Sequence, residues 1–580
     1  MIRQARNRQG QVVAAVLLLA PGWAGAQTVV DEVEVSVIEL DVSVRDRRGR
    51  SVAGLARESF AVSLAGVALE ITNFRAVAGT AAAAEKAAEQ VPLAALEPRH
   101  LVLYFDESSL DGGERAALAR RLVASLAGGL APGARIMVAG RHGSELRIYQ
   151  PFTESPELLT AAVDAAVRAA PRNAASAEMS ELLREIEHAV SKLEEAPRVS
   201  GRAQSRVLAA RSTSFVSEAL QRVARSAEVF EQLVRLQGGL PGRKAILYVG
   251  DGLAVNPGEL LGAALRDAFG RFALSSMSDF IDSTSTASLG GGVLGAVAES
   301  AASRQVVVYA LDTTGSEALP MATAEYRSID AGRSGGAAPS DTWTPAISSW
   351  RRSELRSALG TIAEATGGTV FTDRRRDVLG PVVEDLGTYY SLGVAAPQTA
   401  TPLGELEVTV KDRGLRVHHR RAARPRSIDE VDADRTVAAL LAGDESDSSP
   451  ANPLGARVTI GEITEAGEVI CVVPLTVSVP VAAMMVVARN RVHEGQLSVF
   501  VATRDARRHV SDVRKVVLPV SLANSALATA VGRQAEYRLE LSLPVGPARI
   551  AVGVRDDLDP VLTLLMLDVE VGAGAPLPPS

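Results

Sequence analysis

The sequence predicts an α/β domain with a helical insertion, preceded by a small antiparallel β unit and followed by a β-sandwich. Three observations carry this reading. Between 99 and 395, short and nearly continuous apolar runs alternate with amphipathic segments, the pattern of a sheet covered by helices. Residues 30–76 alternate apolar and polar positions with a period of two. From 456 to 572 short strand-like runs follow one another between turn residues, which suggests a sandwich, immunoglobulin-like in outline.

The chain opens "MIRQARNRQGQVVAAVLLLAPGWAGAQ". Arg3, Arg6 and Arg8 form a basic start, Val12 to Ala20 a short apolar run, and Ala24-Gly25-Ala26 a small-residue cleavage site. This predicts a signal peptide over 1–26 and an exported protein, periplasmic or extracellular. The alternative is a short membrane anchor, but the apolar run is too short to span comfortably. No later stretch predicts a membrane span in the mature chain. The β unit follows over 30–76, with "DRRGR" and an Ala-Gly pair as turns, and an Ala-rich linker over 77–98.

The α/β domain is expected over 99–425. Its strand candidates are 100–106, 134–140, 244–251, 305–312 and 367–371, with helices at 118–126, 156–169 and 354–365. The stretch 170–240 holds more helix than such a domain needs. "SELLREIEHAVSKLEEA" and "SFVSEALQRVARSAEVFEQLVRLQGG" predict an αα-hairpin insertion, with the basic "RVSGRAQSRVLAARS" between them. Residues 313–350 read as a mobile loop, 385–425 return to strands, 426–455 form a linker with an acidic helix-like piece, and 456–572 form the sandwich.

Composition excludes several classes. A net charge of -7 argues against a nucleic-acid partner, which calls for a concentrated basic face. The one cysteine, Cys471, rules out an internal disulfide and a cysteine-rich metal site. The seven histidines are scattered, without the spacing of a zinc hydrolase. "GGLPGRKAI" has the wrong spacing for a phosphate loop and precedes its strand.

The chemistry concentrates in "LVLYFDESSL", where an apolar strand ends in Asp106-Glu107-Ser108-Ser109. Such a tip is a source of hard oxygen ligands for a cation, or it is a cap for the helix that follows. Asp251 in "VGDG" ends another strand and is either a second ligand or an ordinary strand-to-loop turn. The segments "VSVRDRRGRSVAGLARESFAVSLAG", "LVLYFDESSL", "PGRKAILYVGDG" and "DLGTYYSLGVAAP…GELEVTVKDRGLRVHHRR" occur in that order over roughly 30–425. Together they resemble the bacterial von Willebrand factor A-related domain family, acidobacterial type.

The resemblance implies a Rossmann-like A domain that binds a protein and catalyses nothing. It also implies a metal-ion-dependent adhesion site for Mg²⁺ or Mn²⁺ that accepts a partner's carboxylate. The family pattern puts Asp106, Ser108 and Asp251 in that site, with Thr213 as the threonine. Leu110 stands where the second serine belongs, so one oxygen ligand is missing; Glu107 and Asp111 are substitutes nearby. The competing readings are a metal-independent structural or assembly factor of an envelope complex, and a hydrolase using Ser108 or Ser109 with His142 as base. The hydrolase reading lacks a G-x-S-x-G elbow.

Overall fold

The computed structural model describes residues 37–77, 98–106, 112–127, 133–169, 178–179, 181–186, 188–189, 200–250, 258–259, 261–262, 264–265, 289–312, 358–372, 379–395, 405–421, 426–441, 452–466, 469–506, 509–526, 530 and 532–572. The expected signal peptide, the loop over 313–350 and all of the expected 77–98 linker except its two end residues lie outside them; Val77 is instead the last residue of a strand. The described chain is mixed α/β and rich in strand. It divides into one unit of Ser36–Ser449 and one built on Pro450–Arg507 with Arg514–Ser580.

The first unit begins with β1 (Val37–Arg45), β2 (Phe60–Leu64), β3 (Val67–Leu69) and β4 (Ile71–Val77). Next come β5 (Arg99–Phe105), α1 (Gly112–Ala127), β6 (Ala134–His142), β7 (Glu145–Thr153), α2 (Pro156–Ala169) and α3 (Ser200–Gly238). Then follow β8 (Arg243–Gly250), α4 (Leu289–Ser303), β9 (Val306–Asp312), β10 (Val370–Thr372) and α5 (Gly380–Gly387). The unit closes with β11 (Tyr389–Ala395), β12 (Leu406–Val410), β13 (Arg416–His419) and α6 (Ile428–Ala439).

Strands β5–β10 form one sheet in the order β10-β9-β8-β5-β6-β7. All neighbours are parallel except β6 and β7, which make an antiparallel hairpin. Every residue of β5 and β8 is buried, because helices cover both faces. Leu101, Leu103, Phe105, Leu247 and Val249 pack with α1, α2 and α5 on one face. Tyr104 and Tyr248 meet Phe230 of α3 on the other. The edge strand β7 has no clear signal in the sequence. It is half exposed, so its apolar residues neither run together nor alternate cleanly.

Strand pairing redraws the expected small β unit. β1 pairs with β11 and β13, β11 with β4, and β12 with β2, all antiparallel. Residues 37–77 therefore share two sheets, β13-β1-β11-β4 and β12-β2-β3, with strands that were expected to belong to the α/β domain. Leu40, Val42, Phe60, Val62, Tyr390, Leu392 and Val408 form their common core. The α/β part is thus inserted between β4 and β11 of a sandwich. The strands that pair across it lie some three hundred residues apart in the chain.

The insertion also differs in detail. The basic stretch expected to separate two helices is helical from Ser200 onward, and α3 runs 39 residues. Its Arg, Ala, Leu and Gln residues are good helix formers, and no proline interrupts them. Leu208, Phe215, Val216 and Ala219 of α3 share a small core with Leu182, Leu183, Ile186, Leu261 and Leu265.

The second unit holds β14 (Arg457–Ile460), β15 (Thr464–Glu465), β16 (Ile470–Pro480), β17 (Val487–Arg489) and β18 (Val492–Arg504). Beyond them lie β19 (Arg514–Ala523), β20 (Gln534–Pro544), β21 (Gly546–Asp556) and β22 (Leu562–Val571). β16 pairs with β14, β15 and β20; β18 pairs with β17, β19 and β21, and β21 with β22. The two antiparallel sheets share one core, in which Cys471 is buried among Val473, Leu541 and Val552.

Candidate functional site

The strand order reverses between β5 and β8, so the crevice at their carboxyl ends is where an open α/β sheet holds ligands. Asp106 stands there. It directly follows β5, and its N–H donates to the Val249 carbonyl of β8 at 3.0 Å. The residue predicted as the first metal ligand is thus at the right place in the fold, and it is only 3% exposed.

Its carboxylate is already engaged. Arg141 Nε, near the end of β6, donates to Oδ1 at 2.5 Å. Ser226 of α3 and Tyr248 of β8 both donate to Oδ2, at 2.7 and 2.5 Å. Arg141 also donates through Nη1 to the Gly143 carbonyl in the hairpin turn at 2.9 Å, which fixes the guanidinium. Burial, and then the negative charge of Asp106, push the Tyr248 hydroxyl well above its ordinary pKa, so it stays a donor. Three chain segments that are distant in sequence thus complete the shell of one carboxylate. The arginine is a fixed positive charge where the resemblance implies a cation.

Thr213 is not part of this arrangement. It lies on α3, exposed, with its hydroxyl donating to the Ala209 carbonyl at 2.9 Å. Thirteen positions separate it from Ser226, about 20 Å along the helix axis. Thr213 stands in a helix interior, where a threonine hydroxyl turns back on the preceding turn. Ser108 and Leu110 lie outside the described residues, as does Asp251, one residue past the end of β8. His142, the base required by a serine hydrolase, is exposed at the β6–β7 turn.

The groups around Asp106 do not fit Mg²⁺ or Mn²⁺. Such an ion needs free hard oxygens, whereas this carboxylate accepts hydrogen bonds from Arg141, Ser226 and Tyr248 and a second cation would be repelled by Arg141. No group of three or more His, Cys, Asp or Glu side chains suited to a metal is present among the described residues.

The sequence reasoning missed Arg141, Ser226 and Tyr248. "VAGRHG" carries the one available signal: an arginine at the end of an otherwise apolar strand is buried only when it has a carboxylate to meet. No protein-family model matches the chain, and no curated protein matches it significantly. Among the described residues no helix is long and apolar enough to cross a membrane.

Proposed function

We propose that this chain is an exported protein-binding module of the von Willebrand A type that works without a metal, in a structural or assembly role in the envelope. The observation that carries this reading is the closed shell of Asp106, in which Arg141 supplies the positive charge that an adhesion site takes from its ion. The doubly wound strand order supports a Rossmann-like A domain. Export rests on the basic start, apolar run and small-residue site over 1–26. The alternating, two-sheet pattern of β14–β22 supports an immunoglobulin-like C-terminal domain.

The helical insertion points to where binding happens. α3 feeds β8 at the amino end of the sheet, yet its Ser226 reaches Asp106 at the carboxyl end. Residues 200–225 therefore continue past the crevice for about 39 Å. The partner meets the insertion and not a metal at the strand tips. The test is retention of envelope proteins on the immobilised mature chain, in Mg²⁺ and in EDTA. The same proteins retained in both is the expected result. Loss of the retained proteins on chelation contradicts the reading.

A further inference from the structure

Strand β1 has two different faces. Leu40, Val42 and Val44 point into the sandwich core, while Glu39, Asp41, Ser43 and Arg45 occupy the opposite face. That second face meets the inserted α/β part through polar groups. Arg45 donates from Nε and Nη2 to Asp385 of α5, at 3.2 and 2.6 Å. Arg243 Nη2 at the start of β8 donates to Ser43 Oγ at 2.9 Å, and its guanidinium stacks 4.4 Å from the Tyr389 ring centroid. Arg420 bridges the Glu39 and Ala302 carbonyls at 2.7 and 2.9 Å. Arg243 keeps Nε and Nη1 without a hydrogen-bond acceptor, and Arg420 keeps Nε without one.

Two histidines on β13 sit at this joint, on opposite faces of the strand. His418 is opposite Ser43 in the β1–β13 ladder and shares its ionic face. His419 is opposite Val42 and points inward, toward the second sheet. Its Nδ1–H donates to the Arg420 carbonyl at 2.8 Å, and its Nε2 accepts from the Val408 N–H of β12 at 3.2 Å. The imidazole thus closes an edge N–H that β2 does not reach, and it ties the two sheets together. Only one ring proton is compatible with this arrangement. A second, on Nε2, would face the Val408 N–H directly.

We propose that the β12–β13 seam and the ionic joint beside it form a pH-sensitive junction that loosens when His418 and His419 take up protons. The charges around each ring set the direction. His418 lies near Arg45, Arg416 and Asp385, with His419 its chain neighbour and Asp41, Arg243, Lys244 and Glu384 also at the joint. His419 is flanked by Arg421, Glu407, Glu405 and the Arg420 carbonyl. Burial holds both imidazoles below their ordinary pKa, and Arg45 adds to this at His418. Burial raises the carboxyl of Asp41 despite Arg243. The two histidines therefore weaken the joint as pH falls, whereas Asp41, which binds its proton more readily folded than unfolded, acts in the opposite sense.

The test is hydrogen–deuterium exchange of the full chain between pH 7.5 and 5.0, read as protection factors in peptides covering 37–45 and 404–421. Protection there should fall at least tenfold in the wild type and stay level in His418→Gln/His419→Gln, where the amide can still accept and donate. Exchange at the histidine C2 position, followed in the wild type alone, should give midpoints below 6.5 for both rings and needs no variant to fold. Level protection in the wild type, an equal loss in the double variant, or both midpoints at 6.5 or higher overturns the proposal.

Discussion

Two buried carboxylates in the first unit have almost the same company and different consequences. Asp106 accepts from Arg141, Tyr248 and Ser226; Asp385 accepts from Arg45 and, at 2.7 Å, from Tyr309. In each, burial pushes the tyrosine hydroxyl well above its ordinary pKa and the carboxylate pushes the same way. The difference lies in where the arginine comes from. Arg141 belongs to the strand beside Asp106, so that cluster closes the crevice of the α/β part on itself. Arg45 belongs to the sandwich, so the Asp385 cluster joins the sandwich to its insertion. One buried ion pair sits at the strand tips of the α/β part and the other makes a joint. Neither is a net source of stability over an apolar equivalent, but both are costly to break halfway.

The largest effect is expected from leaving Asp106 buried without its cation. Arg141→Ala should cost about 3–5 kcal/mol in urea unfolding of the first unit. Asp106→Leu combined with Arg141→Met should recover most of that loss, because no charge is then stranded. A double variant as unstable as the single one would show that packing, and not charge, is at issue. Arg45→Ala should cost somewhat less, about 3 kcal/mol, since its side chain is 10% exposed and Tyr309 stays with Asp385. Equal costs would remove the distinction between a closed site and a joint.

Acid should act through His100 as well. Burial, and then Arg135, depress its pKa from 6.5 to about 4. A group whose folded pKa is depressed is neutral in the fold and takes up protons first when unfolded. Stability should therefore fall as pH drops from 6.5 to 4, by up to roughly 3 kcal/mol. His100→Gln should flatten that part of the pH–stability curve; an unchanged slope would assign it to other groups. Ser226→Ala removes one donor to Asp106 and should cost about 1 kcal/mol in the same unfolding assay. Thr213→Val, far from the cluster on an exposed helix face, should change stability by less than about 0.5 kcal/mol.

What was legible in the sequence follows from how local each signal is. β5 and β8 are buried on both faces and read as apolar runs, and α2 starts at Pro156 behind Ser155. The location of Asp106 at a strand tip was legible for the same reason. The sandwich shared by β1–β4 and β11–β13 was not, because an alternating strand names its face but not its partner. Arg141, Ser226 and Tyr248 were hidden for a related reason. They come from 35 to 142 residues away and converge only once the sheet order places β6, β5 and β8 side by side. A motif read along the chain shows which oxygens are present, but not which are already in use.

The most direct test of this account is calorimetric titration of Mg²⁺ and Mn²⁺ into the metal-free mature chain and into Asp106→Ala. The closed shell around Asp106 predicts no saturable binding that depends on this residue, with the two proteins giving the same trace. Saturable binding to the wild type that disappears in Asp106→Ala would contradict it and would restore the adhesion site that "DESSL" suggested.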